Sequence, residues 1–184
     1  MGPIGPFSIW EIGLAIETWL NKVEELAQQI SEREGCLLYD LDFMGTGSGR
    51  TLRVFIDKAE GVVSIDDCSR VSQALNLQLD VDDVVPGGAY NLEVSSPGLE
   101  RRLKKKWHFE KAIGKKIDLK LEIALGELGW ENLKNKSIKR LKPVVKEVKE
   151  DQVLVEWEGL QGGVPFSSIE KANVCFEIVK GKKK

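Results

Sequence analysis

The chain has 184 residues, of which 42% are hydrophobic and 30% are charged, and its formal net charge is -2. This composition excludes a disordered chain, and no stretch approaches the roughly 18 apolar residues of a membrane-spanning helix. No basic region precedes an apolar run, so we expect no signal peptide. Three cysteines and one histidine leave little scope for a metal cluster or a catalytic triad, and we assign no catalytic, cofactor-binding or metal-ligating residue.

The near-neutral total conceals an uneven distribution of charge along the chain. Residues 1–100 hold 6 Lys or Arg against 17 Asp or Glu, a balance of -11. Residues 101–184 hold 21 against 12, a balance of +9. Asymmetry of this size indicates that each half presents a surface to partners of one sign.

The first half has the pattern of a small two-layer α+β domain. Apolar residues recur at helical spacing over 12–30, and Gly35 follows as a natural helix end. A second helix is expected from Ser64, which has capping-box spacing to Asp67. One face of that helix comprises Ile65, Cys68, Val71, Leu75 and Leu79. Strands at 36–43, 52–57 and 90–94 complete the order helix, strand, strand, helix, strand.

The second half has the pattern of a small all-β barrel. Polar and apolar residues alternate over 115–123, and the apolar face comprises Ile117, Leu119, Leu121 and Ile123. Further short strands are expected at 144–148, 153–157, 164–166 and 174–179, with a one-turn helix at 167–169. We expect 125–141 to be an extended polar loop.

Basic residues crowd together where the acidic half ends. The cluster comprises Arg101, Arg102, Lys104, Lys105 and Lys106, followed closely by Lys115 and Lys116. Clustered Lys and Arg neutralise phosphates and release counterions, so these seven residues are the candidate contacts with RNA or another acidic surface. A solvated linker face is the alternative interpretation.

A nine-residue segment at the same place closely resembles the signature of the bacterial ribosome maturation factor RimP family. It reads Glu93-Val94-Ser95-Ser96-Pro97-Gly98-Leu99-Glu100-Arg101. Similar segments lie at 41–42, 52–57, 65–72, 79–81 and 103–105, with Phe109 and Gly114 downstream. The resemblance covers about residues 10–123 and continues more weakly to the end. The chain departs from the family pattern at Arg102, where the family usually has Pro.

The resemblance implies a division into two domains with distinct folds. An N-terminal α+β domain with a KH-like layout would occupy 10–98, and an SH3-like (Sm-like) β-barrel would occupy 107–180. From their composition, we expect the other ranges to be a flexible N-terminal arm, a basic interdomain junction and a basic tail, at 1–9, 99–106 and 181–184.

The signature has the chemistry of a turn between these domains. Pro97 fixes φ and disfavours helix at Ser96, while Gly98 permits the positive φ of a type II turn. We expect Glu100 and Arg101 to pair across the junction, and contact of Arg101 with ribosomal RNA is the alternative. The junction residues assigned here are Ser95, Ser96, Pro97, Gly98, Glu100 and Arg101.

The resemblance implies a binding factor rather than an enzyme, required for assembly and maturation of the small (30S) ribosomal subunit. We expect a cytoplasmic monomer that binds the immature subunit, with ribosomal RNA on its basic half. A basic ribosomal protein near the decoding region would meet the barrel surface or the acidic half. We expect no cofactor, no membrane contact and no small-molecule substrate.

Two other functions remain open from the sequence. The first is a general single-stranded RNA-binding or translation-regulating protein that acts off the ribosome. The aromatic residues that would stack bases, or else fill the core, are Trp107, Phe109, Trp130 and Trp157. The second is a hydrolase, which rests only on strand carboxylates without an accompanying base and nucleophile, at Asp40, Asp42 and Asp57.

Overall fold

The structure, a computed structural model, describes residues 9–176, and it describes side chains from residue 18 onward except that of Ser48. The chain divides into two compact units, Met1–Pro97 and Gly98–Lys184. Most of the predicted arm at 1–9 and the whole tail at 181–184 lie outside the described residues.

The N-terminal unit has the predicted order of helices and strands. Its elements are α1 (Ile9–Arg33), β1 (Leu37–Met44), β2 (Thr51–Asp57), α2 (Ile65–Asp82) and β3 (Asn91–Ser95). The sheet order is β1-β2-β3, in which β2 pairs antiparallel with β1 and parallel with β3. The helices contact each other, α1 contacts β1, and α2 contacts β3, so helices and sheet enclose one core.

Local chemistry explains where these elements begin and end. Gly35 adopts a φ of 76°, a left-handed conformation that costs glycine little, and this terminates α1. Ser64 caps α2: its hydroxyl accepts the Asp67 N–H at 3.1 Å, and the Asp67 carboxylate accepts the Ser64 N–H at 2.8 Å. The predicted capping box is therefore confirmed.

The buried face of α2 is narrower than its predicted apolar face. On the predicted apolar face, Val71, Leu75 and Leu79 are buried, Cys68 is half-buried, and Ile65 is 85% exposed. Ile65 is the first residue of the helix and precedes the turn that packs on the sheet. Helical spacing alone does not predict where along the helix burial begins.

The C-terminal unit is rich in short strands. Its elements are α3 (Lys106–Glu110), β4 (Ile117–Leu121), β5 (Arg140–Leu141), β6 (Val144–Val148), β7 (Gln152–Trp157), β8 (Leu160–Pro165) and β9 (Ile169–Val174). The strands form two three-stranded antiparallel sheets, β5-β4-β9 and β6-β7-β8. One core fills the space that they share.

The strand pairs of this unit do not close into a barrel among residues 98–176. A single bridge between Lys116 and Val144 connects the two sheets. What the structure establishes is an α+β unit followed by a β-rich unit. The KH-like and SH3-like layouts stay predictions.

Three details of the second half differ from the sequence-based prediction. The closing strand is β9, which ends at Val174; residues 175 and 176 are not in a strand, so the predicted strand over 174–179 was misplaced. Ile123 is 38% exposed rather than part of the core. Helix α3 was not predicted, because five residues are too few to show helical periodicity.

The segment over 125–141 is also more ordered than the predicted polar loop. It contains a 3₁₀ turn at Leu125–Leu128 and the strand β5, and Leu125 and Trp130 are buried in the core. The Trp130 indole N–H donates to the Gly163 carbonyl at 3.1 Å. This long-range hydrogen bond holds the segment against β8. Local composition does not predict such a contact.

Between residues 9 and 176, no helix is long and apolar enough to cross a membrane. Within the same described range, no three His, Cys, Asp or Glu side chains gather as a metal ion would require.

Candidate nucleic-acid interface

The basic segment predicted as a junction begins along the edge of a sheet. The N–H of Val174 donates to the Arg101 carbonyl at 3.0 Å, and the N–H of Leu103 donates to the Ala172 carbonyl at 2.9 Å. The Asn173 amide also donates to the Glu100 carbonyl at 3.0 Å. Residues 100–103 therefore extend the β5-β4-β9 sheet on the far side of β9.

The signature residues are placed as follows. Ser95 ends β3, where it pairs with Phe55 of β2, and Gly98 adopts a φ of 75°. The positive φ agrees with the predicted turn, and a β-branched residue would be strained there. The Glu100 carbonyl is used in the contact with Asn173, while the predicted Glu100–Arg101 ion pair stays a prediction.

The backbones of Lys104 and Lys105 form hydrogen bonds with a buried histidine. The N–H groups of both residues donate to His108 Nδ1, at 3.0 and 3.2 Å, and the imidazole is 1% exposed. Because Nδ1 accepts both bonds, that nitrogen carries no proton. The pair of bonds fixes the start of α3; the Lys104 side chain is exposed there and that of Lys105 is half-buried.

The charge of Lys106 is engaged within the protein. Its Nζ lies 2.8 Å from the Glu150 carboxylate. This hydrogen bond raises the pKa of Lys106 and lowers that of Glu150. The Glu150 side chain is 94% exposed and that of Lys106 is 40% exposed, so the pair contributes little stability.

Lys115 and Lys116 lie on one side of the end of β9, and Arg101 lies on the other. The Lys116 carbonyl accepts the N–H of Cys175 at 2.8 Å, next to the Val174 N–H that binds Arg101. The end of β9 therefore runs between the backbones of Arg101 and Lys116. The fold brings these two predicted residues, with neighbouring Arg102 and Lys115, to one end of the same sheet.

A further set of cations, which includes Arg140 of the basic run in the sequence, lies across this sheet. In the strand register, Lys120 of β4 stands opposite Arg140 of β5 on one side and Lys171 of β9 on the other. All three side chains are exposed, whereas the flanking Leu119 and Ala172 are buried. We call Arg140, Lys120 and Lys171 the basic row.

Acidic neighbours neutralise part of the basic row. Arg140 binds Asp118 through two hydrogen bonds of 2.9 and 2.6 Å, and Lys120 binds Glu170 at 2.5 Å. A bulge opposite Lys120 brings Glu170 beside it. The bonds from Arg140 lower the pKa of the Asp118 carboxyl, and the charges of Lys142 and Lys171 lower it further.

The row borders a groove of about 550 Å³, which is lined by four cationic side chains and three carboxylates, including Glu100. We call it the row groove. Lys142 and Lys171 line it, and neither forms an ion pair with any residue that the structure describes. Like charges placed directly across strands destabilise a sheet. A protein that retains them gains stability when an anion binds, so this row groove is a candidate phosphate site.

Only part of the row groove could be predicted from the sequence. Alternation along β4 placed Lys120 on the polar face. Arg140 was assigned to a loop, and the strand that holds Lys171 was placed five residues too late. Register between distant strands, which aligns the three cations, does not follow from local pattern.

The aromatic residues divide into buried and accessible ones. Phe109 and Trp130 are 2% and 7% exposed, so neither can stack a base. Trp107 is half-buried, with an edge contact to His108 and Lys111 over its ring. Trp157 is half-buried and lines a second groove.

Comparison with known families concerns the N-terminal unit. The model of the RimP N-terminal domain matches residues 26–100. The matched range runs from the middle of α1 through β3 to the signature segment, and it therefore includes the whole sheet of this unit. The chain therefore contains a RimP N-terminal domain over residues 26–100.

Proposed function

We propose that this protein is a maturation factor for the small (30S) ribosomal subunit, which binds the immature subunit without catalysis. The RimP N-terminal domain supports ribosome maturation. The observation that carries the RNA contact is the basic row, whose three cations are aligned by strand register across one exposed sheet face. Ribosomal RNA supplies the phosphates that such a face binds.

The RNA-binding surface, in this proposal, is built on the sheet β5-β4-β9. Arg101, Arg102, Lys115 and Lys116 lie at one end of this sheet, and the basic row crosses it. Lys104 and Lys105 precede α3, and Lys106 is its first residue. Because these contacts are to phosphates, they give affinity and orientation without selecting a sequence.

The acidic N-terminal unit is proposed to receive a basic ribosomal protein near the decoding region. Asp80, Asp82 and Asp83 are exposed at the end of α2, beside Leu77 and Val81, which are 68% and 71% exposed. Exposed carboxylates around apolar side chains steer a basic protein and offer it an area to bury.

The remaining expectations belong to the same proposal. A factor that binds ribosomal precursors acts in the cytoplasm, and we propose that it does so as a monomer. The KH-like layout and the SH3-like barrel are the arrangements that we propose for the two units.

Cosedimentation with immature small subunits from a strain lacking the factor tests the proposal. We expect binding that weakens steeply between about 50 and 200 mM salt, because phosphate contacts release counterions. A variant with Arg101→Ala, Lys104→Ala and Lys105→Ala should bind more weakly but melt within a few degrees of wild type, since its backbone bonds are retained. Absence of binding at low salt, or binding without salt dependence, contradicts the proposal.

One observation favours the alternative of a single-stranded RNA-binding protein that acts off the ribosome. Trp157 is half-buried in a groove, rather than sealed in the core like Trp130. Gel shifts with unrelated RNA oligomers separate the two functions. Tight binding of such oligomers at physiological salt, without preference for the subunit, would favour the alternative.

A further inference from the structure

The hairpin between β7 and β8 holds an aromatic side chain at the wall of a groove. Glu158 and Gly159 form its two-residue turn with φ values of 51° and 80°, as a type I′ turn requires. Trp157 and Leu160 stand opposite each other at the base of that turn. The tight turn leaves Trp157 packed against the core on one side and accessible on the other.

The opposite wall comes from the ordered segment before β5. Leu133 and Ile138 are half-buried against the core, and both line the groove. The Asn135 side chain accepts the N–H of Ser137 at 2.9 Å, which holds this wall in a turn. The space enclosed, which we call the Trp157 groove, has a volume of about 660 Å³. Pockets for small ligands have volumes of roughly 300–1,000 Å³.

The groove combines apolar and polar groups in the way that a nucleobase needs. Trp157, with Leu160, offers a flat apolar surface, and the amides of Asn132 and Asn135 offer donors and acceptors. Lys134 lines the rim, is exposed, and forms no ion pair with any described residue. An unpaired base has a π face to stack and polar edges to bond, while its phosphate needs a cation.

One residue joins this groove to the row groove. Arg140 lines both, and its guanidinium is held by two hydrogen bonds to Asp118. A chain whose phosphates lie along Lys171 and Lys142 therefore reaches Lys134 by passing Arg140. The continuity of cations from one groove to the other determines the class of ligand.

We infer that the Trp157 groove binds an unpaired nucleotide of the RNA strand whose phosphates occupy the row groove. This inference rests on the proposed RNA contact and adds to it a preference for single-stranded segments. Duplex RNA keeps its bases paired and offers only phosphates and sugars to the basic row.

Fluorescence anisotropy of the full-length protein with one RNA sequence, as a single strand and as a duplex, tests the inference. Trp157→Leu should weaken single-strand binding by about 5- to 150-fold, the loss typical of one stacked base, and leave duplex binding unchanged. Trp19→Leu, the same substitution in the N-terminal unit, should change neither. Lys142→Gln with Lys171→Gln should weaken both.

The outcomes distinguish failure of the groove from failure of the RNA contact. If Trp157→Leu binds single strands like wild type while the lysine variant loses affinity, the nucleotide site is wrong and the RNA contact stands. Equal losses on single strand and duplex would also overturn a base-binding role. If Trp157→Leu weakens binding only of a ribosomal protein, the occupant is a protein. If wild type binds neither RNA, the proposed contact itself fails.

Photocrosslinking of wild-type protein tests the same site without a substitution that disturbs folding. A single strand carrying 4-thiouridine should crosslink to peptides that contain residues 132–138 or 157–160. Crosslinks confined to other peptides would contradict the inference.

Discussion

At the scale of the residue, Asp67 is the clearest case of a charge fixed by its surroundings. Its side chain is 3% exposed and lies 2.7 Å from Lys58 and 2.6 Å from Arg70. The hydrogen bond with Lys58, followed by those with Ser64, holds the pKa of the carboxyl far below its ordinary 3.8. The family resemblance had marked this stretch, and the contacts give it a structural role.

The stability of the N-terminal unit should therefore depend on the charge of Asp67. Because the folded pKa is depressed, the stabilisation is complete above about pH 4 and is lost as the pH falls toward the folded value. Asp67→Asn should lower the melting temperature at neutral pH and flatten its dependence on acid. Asp66→Asn, at the exposed neighbouring position, is the matched control; equal acid profiles for wild type and Asp67→Asn would contradict this role.

Gly162 shows a second constraint at the scale of a single atom. A Cβ at this position would lie 2.2 Å from Cε2 of the buried Trp130 ring. Gly162→Ala should therefore cost about 1–3 kcal/mol of stability through overpacking. Hydrogen exchange of the β7 and β8 amides would report the loss.

Gly49→Ala provides the comparison for this substitution, since a Cβ there meets nothing within 4 Å and its φ is not positive. We expect Gly49→Ala to leave the C-terminal amides unchanged. Protection of β7 and β8 equal to wild type in Gly162→Ala would show that Trp130 does not hold this position.

At the scale of the element, the sequence predicted those helix ends, turns and strands that depend on neighbouring residues. The Ser64–Asp67 cap, the end of α1 at Gly35 and the 3₁₀ turn at Phe166–Ser168 all follow from a few neighbouring residues. The strands β1, β2 and β3 were found because their apolar residues and turns lie close in sequence. These predictions are confirmed within one or two residues at each end.

Elements whose position depends on distant partners were not predicted in the same way. β5 has only two residues and exists because it pairs with β4, some twenty residues earlier in the chain. The same pairing aligns Arg140 with Lys120. Of the candidate interface, the sequence therefore indicated the basic segment at 101–106, whereas the basic row required the sheet register.

The hydrogen bonds of His108 at the start of helix α3 can be tested by substitution. His108 accepts two backbone N–H bonds from the residues that precede the helix, and it is buried. His108→Ala should cost about 2–4 kcal/mol, because it leaves a cavity and two N–H groups without their acceptor. His108→Asn retains an acceptor and should recover part of that loss in chemical denaturation. Equal stability of wild type and His108→Ala would contradict the capping role.

At the scale of the whole molecule, the formal charge of -2 is the sum of an acidic first half and a basic second half of the sequence. The acidic N-terminal unit and the basic C-terminal half differ enough that the total describes neither. In the proposed function, the basic face of the sheet β5-β4-β9 binds ribosomal RNA through its phosphates. Lys142 and Lys171 test it best, since neither forms an ion pair with any residue that the structure describes.

The most direct measurement is the salt dependence of binding to immature small subunits for wild type and for Lys142→Gln with Lys171→Gln. Each phosphate contact removed should reduce the slope of log affinity against log salt by about 1, so the double variant should lose about 2 and bind more weakly. Lys149→Gln, an exposed lysine in the β6–β7 turn, should leave the slope unchanged. A double variant with the slope and affinity of wild type would contradict the claim.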